Sequence, residues 1–186
     1  MTQKEITYYL DMYSPEDLRL PAKPPAVPIE VTRSAIPCPE WNRFFYTAIG
    51  GDWFWVDRLA WTYDEWKAHV SRADVETWVA FTSGTPVGYF ELEGTAGAEI
   101  EISYFGILPQ FAGMGVGGNL LAAAVRRAWA KPARKVWVHT SSFDDPRALR
   151  NYLARGFKLV REEISLKDLP DVTPGPWPGA RHAKRD

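Results

Sequence analysis

Alternating glycines at Gly113, Gly115 and Gly117 stand between an extended apolar run, Glu99 to Ile107, and a helical run that begins near Gly118. Without Cβ atoms the chain can turn its amide N–H groups inward there, and the free amides of the following helix add the positive end of its dipole. That arrangement cradles an anion such as a phosphate. On the strand leading into it, Glu99 and Glu101 are two residues apart and project from one face. Either can act as a general base, directly or through a water; the competing reading is a pair of surface carboxylates. His139, on the strand after the helix, titrates near neutrality and is a second base candidate, against a purely structural role in hydrogen bonding. Cys38 lies between two prolines with no base beside it, which argues against a covalent nucleophile.

The elements that must hold these groups read as follows. Ile6, Tyr8, Leu10 and Met12 alternate with less apolar residues and predict a strand over Ile6–Met12. Pro21, Pro24, Pro25 and Pro28 then impose an extended connector ordered against the body, followed by a short strand over Ile29–Arg33. The spacing of Trp41, Phe44 and Phe45 predicts a helix stopped at Gly50-Gly51-Asp52, and Thr62 with Glu65 forms a capping box for a second helix to about Val70. Glu76–Phe81 and Pro86–Leu92 flank Ser83-Gly84-Thr85 as a hairpin. A strand over Glu99–Ile107, a helix over Gly118–Ala130 ended by Pro132, and a strand over Lys135–Thr140 follow. A helix then opens at Asp145-Pro146, Gly156 caps it, and Phe157–Ile164 is the last strand. Together they predict a mixed α/β sheet with helices packed on its faces.

At 186 residues and 46% hydrophobic content the chain suits one domain, expected over 1–166, with a Pro-rich, basic tail over 167–186 that includes Arg181, Lys184 and Arg185. A formal charge of −1 gives no broad attraction for nucleic acid or an anionic membrane, so neither is expected as a partner. One cysteine precludes an internal disulfide, and no apolar leader is seen at the N-terminus, so a cytoplasmic location is expected. The edge of the last strand and the tail around Trp177 are candidates for a homodimer contact.

The glycines alone do not choose a ligand. No Lys-Ser/Thr pair follows them, as a nucleoside triphosphate loop requires, and the final gap is too short for the dinucleotide fingerprint. The run Ile107-Leu108-Pro109-Gln110-Phe111-Ala112-Gly113-Met114-Gly115-Val116-Gly117-Gly118-Asn119-Leu120-Leu121 resembles motif A of the GNAT superfamily of N-acetyltransferases, V-x-P-x-x-[RQ]-G-x-G-x-G-x-x-L-L. Downstream, Asp145-Pro146-Arg147-Ala148-Leu149-Arg150-Asn151-Tyr152-Leu153-Ala154-Arg155-Gly156-Phe157 resembles motif B of the same superfamily. The resemblance covers roughly Trp78 to Ile164 and implies a GNAT-like, largely antiparallel sheet with helices on both faces. It implies acetyl-coenzyme A as co-substrate, with its pyrophosphate at the motif A residues from Ile107 to Gly118, and no metal.

Two positions depart from the pattern. Ala112 stands at the usual Arg/Gln position, so the phosphates must be held mainly by main-chain amides, with Arg126 and Arg127 as candidate cations or as solvated helix residues. Asp145 stands where the family commonly has Asn, so its contact with the cofactor is set against a helix-capping role. The resemblance further implies a backbone N–H near Ile107 that polarises the thioester carbonyl, Glu101 or Glu99 as the base, and Tyr152 as donor to the departing sulfur. Trp53, Trp55 and Trp61 with Asp52 and Asp57 would suit a small cationic or aromatic amine, against core packing of the rings. The expected activity is direct acetyl transfer from acetyl-coenzyme A to a primary amine in a ternary complex; the alternative is an acyl-coenzyme A sensor or interaction module without turnover.

Overall fold

The structure, a computed structural model, describes residues 1–177. Seven strands form one sheet: β1 (Thr2–Met12), β2 (Glu30–Arg33), β3 (Val75–Thr82), β4 (Thr85–Glu93), β5 (Glu99–Ile107), β6 (Lys135–Ser141) and β7 (Lys158–Asp168). Four α-helices accompany them: α1 (Pro39–Gly50), α2 (Tyr63–Val70), α3 (Val116–Ala130) and α4 (Ala148–Ala154). The order across the sheet is β2-β3-β4-β5-β6-β1-β7. Every pairing is antiparallel except β5 with β6, which is parallel and as brief as Glu99–Glu101 against Lys135–Trp137.

Local chemistry explains most of the elements. Ser83 (φ 46°) and Gly84 (φ 79°) both take positive φ in the two-residue turn of the β3–β4 hairpin, the geometry that matches strand twist. Thr62 caps α2 through Glu65 N–H at 3.3 Å while the Glu65 carboxylate returns to the Thr62 amide at 2.6 Å. α4 begins at Ala148, three residues later than Asp145-Pro146 suggests, because Asp145 is used in a preceding turn that accepts the Ala148 N–H at 2.8 Å. β1 starts at Thr2 and lies between β6 and β7, so the first strand in sequence is interior to the sheet. β7 runs to Asp168, two residues past the expected domain boundary, and forms one edge of the sheet, opposite β2. Leu169 beyond it is buried and the Gly175 N–H donates to Gly51 at 2.9 Å, so this part of the tail is tied to the body. Arg181, Lys184 and Arg185 lie outside the described residues.

Two cores lie on opposite faces. Leu120, Leu121, Ala124 and Val125 of α3 pack with Phe90, Ile100, Ile102 and Val138, and α4 adds Tyr152. Phe45 and Ile49 of α1 pack with Val79 and Tyr89 on the other face. A bulge at Ser103 changes the parity of β5, because Leu92 pairs with Ile102 while Glu91 pairs with Tyr104. Tyr104 is thereby turned to the α1 face, and Phe105 and Ile107 pack against the α3 side.

Beneath α1 and α2 lies a buried charge network that the sequence reading missed. The Arg58 Nη1 donates to Glu91 Oε2 at 3.1 Å, with Glu91 fully buried. His69 Nε2 lies 2.9 Å from the same Glu91 oxygen, and Asn42 Nδ2 donates to Glu91 Oε1 at 3.0 Å. Burial would raise the Glu91 pKa, but the His69 hydrogen bond and the Arg58 charge outweigh it and hold the carboxyl below its ordinary value. Its stabilisation is therefore present above the unfolded-state pKa and is lost as pH falls through the folded one. His69, Glu91 and Glu93 are close enough to hold a cation, and the guanidinium supplies that charge, with Nη2 at 3.4 Å from Glu93. Arg58→Met strands a buried carboxylate and is expected to cost about 3–5 kcal/mol in urea unfolding. Adding Glu91→Gln to Arg58→Met should recover part of that loss; an additive further loss would show that the pair is not the anchor.

Candidate active site

β5 and β6 part after Glu101 and Trp137, since pairing stops there while both strands continue. The gap opens into a cavity of about 620 Å³, within the range of small-molecule sites. At one end lies the glycine turn. Gly113 (φ 81°) and Gly115 (φ 73°) take left-handed backbone, and Gly115 is the N-cap of α3. The amides of Gly115, Val116, Gly117 and Gly118 precede the first intrahelical bond of α3 and are the orphan donors of that terminus. Gly113, Gly115, Gly117 and Gly118 all line the cavity. The proline connector crosses the turn, with the Ala26 N–H donating to the Met114 carbonyl at 2.8 Å.

The other motif A residues divide between wall and support. Ile107 lines the cavity. Leu108 is buried in the α1-face core, and its N–H donates to Val87 at 2.8 Å. Successive strand amides point to opposite edges, so the Ile107 N–H is directed to the side from which β6 has departed. Pro109 and Ala112 form a 3-10 turn in which the Ala112 N–H is spent on Pro109, and the Met114 N–H is spent on Phe111 at 3.4 Å. Val116 contributes its amide, while its side chain is fully buried in the α3 core. Leu108, Pro109, Ala112, Met114 and the Val116 side chain are therefore supports, not cavity walls.

A cation missing from motif A is found on α4's far end. Arg155 Nη1 would lie 3.3 Å from a Cβ at Gly118, and this guanidinium forms no ion pair among the described residues. Desolvation without a partner lowers its pKa, yet it stays cationic. Arg127 instead stacks on Trp78 at 4.4 Å. Sequence could flag Arg155 as one of several arginines of motif B, but only the packing of α4 on α3 identifies which one meets the turn. Asp145 lines the cavity and is engaged by the Arg147 N–H and Nε, both at 2.8 Å.

At the centre, Tyr152 and His139 line the cavity. Burial raises the Tyr152 pKa far above the ordinary value, so the phenol stays protonated as a donor. Its ring is fixed edge-on to Phe105 and Phe157. The Glu99/Glu101 pair is split by its neighbours. Glu99 is 56% exposed, bonded to Lys135 at 3.2 Å and outside the cavity wall. Glu101 lies 3.0 Å from His139 Nδ1. A carboxylate accepts from Nδ1–H, which leaves His139 Nε2 as an acceptor. The Glu101 hydrogen bond raises the His139 pKa against burial, aided by the charges of Glu101, Asp144 and Glu5. Ser103, at the bulge, lines the cavity and has a buried hydroxyl with no protein partner among the described residues.

At the other end stand the aromatic residues. Trp53, Phe54 and Trp55 line the cavity with Tyr46 and Tyr104; Asp52 is not part of its wall, and Asp57 is. Trp55 packs edge-on to Tyr104 at 5.0 Å and its Nε1 donates to Asp144 at 3.0 Å. Phe54 holds φ 59°, a strained conformation for a ring-bearing residue, and meets Phe143 of the β6–α4 loop at 5.9 Å. The buried network anchors this loop: Arg58 lies over the Tyr104 ring at 4.3 Å and its N–H donates to Tyr46 at 3.0 Å.

Orphan amides and an unpartnered hydroxyl along one cavity, with the Arg155 guanidinium beside Gly118 but outside the wall, fit a ligand with phosphates at one end and polar acceptors further in. Arg155→Ala is expected to weaken acetyl-coenzyme A binding about tenfold at low salt and less at high salt, read by calorimetry. An unchanged affinity would remove Arg155 from the site.

A family model described as "Acetyltransferase (GNAT) family" matches residues 38–157. A GCN5-related N-acetyltransferase from Kribbella flavida has a similar structure at 20% identity and TM-score 0.61, over 89% of this chain and 59% of that one. A tandem GNAT protein from the clavulanic acid biosynthesis pathway is 14% identical with TM-score 0.56, over 89% of this chain and 53% of its own. An aminoglycoside acetyltransferase from an uncultured soil metagenomic sample, in complex with sisomicin, is 13% identical with TM-score 0.55, over 68% of this chain and 85% of its own. This chain thus spans little more than half the length of the first two. No match is found among curated proteins.

Proposed function

The chain belongs to the GNAT acetyltransferase family, and from that premise we propose that it transfers an acetyl group from acetyl-coenzyme A to the primary amine of a small molecule, directly in a ternary complex. The observation that carries this reading is the continuity of one cavity from the orphan amides of α3, through the gap between β5 and β6, to the aromatic loop. Bound acetyl-coenzyme A supplies the activated acyl group as a thioester. The amides of Gly115 to Gly118 hold the phosphates, and the Arg155 guanidinium beside Gly118 adds positive charge next to that turn. The Ile107 N–H hydrogen-bonds the carbonyl oxygen as negative charge develops on it.

An amine arrives as an ammonium ion with no lone pair, so it first loses one proton to solvent and attacks as the neutral amine. His139 Nε2 takes the proton from nitrogen as the N–C bond forms, and Glu101 stabilises the resulting imidazolium through Nδ1–H. The C–S bond breaks as Tyr152 donates its phenolic proton to sulfur, and the phenolate is reprotonated from solvent. The chemistry needs a neutral His139 and a protonated Tyr152. Purified chain with acetyl-coenzyme A and an amine panel, followed by free thiol, tests the reaction; calorimetric binding with no amine-dependent thiol release from any amine would overturn it.

Tyr152→Phe is expected to reduce kcat by about 10²-fold or more with acetyl-coenzyme A affinity retained. Unchanged kcat would exclude the phenol as acid. Because the base acts when neutral and its pKa is raised, kcat/KM should climb with pH through a limb above the ordinary histidine value. Glu101→Gln removes the stabilising charge and should move that limb to lower pH. Loss of the limb altogether would make Glu101 itself the base, and an unmoved limb would place the base elsewhere.

A further inference from the structure

The acceptor end of the cavity carries a charge pattern narrower than its composition suggests. Four carboxylates line the cavity: Glu5, Asp57, Asp144 and Asp145. Lys167 spans Asp57 at 3.4 Å and Glu5 at 4.0 Å, and Arg147 holds Asp145. Asp144 differs. It accepts from Trp55 Nε1 at 3.0 Å, Thr140 Oγ1 at 2.7 Å and the Ser141 N–H at 2.8 Å, and it pairs with no cation among the described residues. Asp144 and His139 both line the cavity, so this carboxylate and the base face one space. The remaining cation of the wall, Arg150, stands on α4 next to Asn151, whose Nδ2 donates to the Gly117 carbonyl at 3.4 Å.

Around Asp144, ring walls stand beside the hydroxyls of Thr140 and Ser141. Trp55 and Tyr104 stand edge to face, and Phe54 meets Phe143 across the gap between the aromatic loop and the β6–α4 loop. Ring faces of this kind accept a planar apolar body and attract an ammonium ion. One uncompensated carboxylate matches one positive charge; further cationic groups would meet Lys167.

We propose that the acceptor is a monocationic amine on a flat aromatic body, an arylalkylamine, held by the aromatic walls with its nitrogen at Asp144 and within reach of His139. This rests on the acyl-transfer reading above and names the substrate class for the same site. Lys167 is the specificity-determining residue: by occupying Asp57 and Glu5 it excludes polyamines and aminoglycosides.

The test titrates the full chain with phenethylamine, spermidine and sisomicin, reading tryptophan fluorescence for binding and thiol release with acetyl-coenzyme A for turnover. Phenethylamine should bind at least tenfold tighter than the other two. Asp144→Asn should weaken it about tenfold while leaving acetyl-coenzyme A affinity unchanged. Lys167→Met, a gain-of-affinity variant that a folding defect cannot mimic, should tighten spermidine at least fivefold relative to phenethylamine. Tighter binding of spermidine or sisomicin by the unaltered chain, no binding of phenethylamine, or an unchanged amine preference in Lys167→Met would overturn the assignment. Failure to bind acetyl-coenzyme A would instead overturn the acyl-transfer reading, because the amine titration needs no acyl donor.

Discussion

The parting of β5 from β6 is the constraint on which the rest of the structure depends. Their parallel pairing is limited to three residue pairs, and the bulge at Ser103 then turns β5 aside while β6 continues beside β1. Strands that separate within a sheet expose backbone groups that ladder bonds would have satisfied. Here that cost is placed where a ligand can meet it, and the same gap brings β5, β6, α3 and α4 to a common space. Had the ladder continued to Ile107, the glycine turn would face a closed sheet.

Each side of the gap is stiffened by different means. On the phosphate side, α3 is held by a fully buried apolar face and its first turn is covered by the proline connector. On the acceptor side, no regular element spans residues 51–62, and the loop is held instead by charge. Arg58 reaches the fully buried Glu91 and stacks on Tyr104 and Trp61. A buried ion pair contributes little net stability but makes misplacement costly, because either partner alone would be an uncompensated charge. Such a clamp gives an irregular, aromatic loop one position, which a specific pocket requires.

The sequence was legible where local rules decide. Turn residues at Ser83-Gly84, the Thr62–Glu65 cap and the glycines of the β5–α3 turn mark their elements because the backbone conformation depends on those residues alone. The family resemblance added the position of Tyr152, which no periodicity marks. What stayed hidden depends on contacts distant in sequence. Glu99 and Glu101 are equivalent on a strand, and only Lys135 and His139 on β6 separate their roles. Arg58 and Glu91 are 33 residues apart, and Arg58 lies in a loop no pattern describes. The interior position of β1 follows from its pairing with both β6 and β7, which no local feature of Thr2–Met12 dictates.

The central claim is that one continuous cavity seats the donor's phosphates on the α3 amides and its acyl end between β5 and β6. A crystal structure of the chain with coenzyme A tests it most directly. The account predicts pyrophosphate oxygens within hydrogen-bond distance of the amides of Gly115 to Gly118 and the thiol between Ile107 and Tyr152. Density for the nucleotide elsewhere, or a thiol outside the gap between β5 and β6, would contradict it.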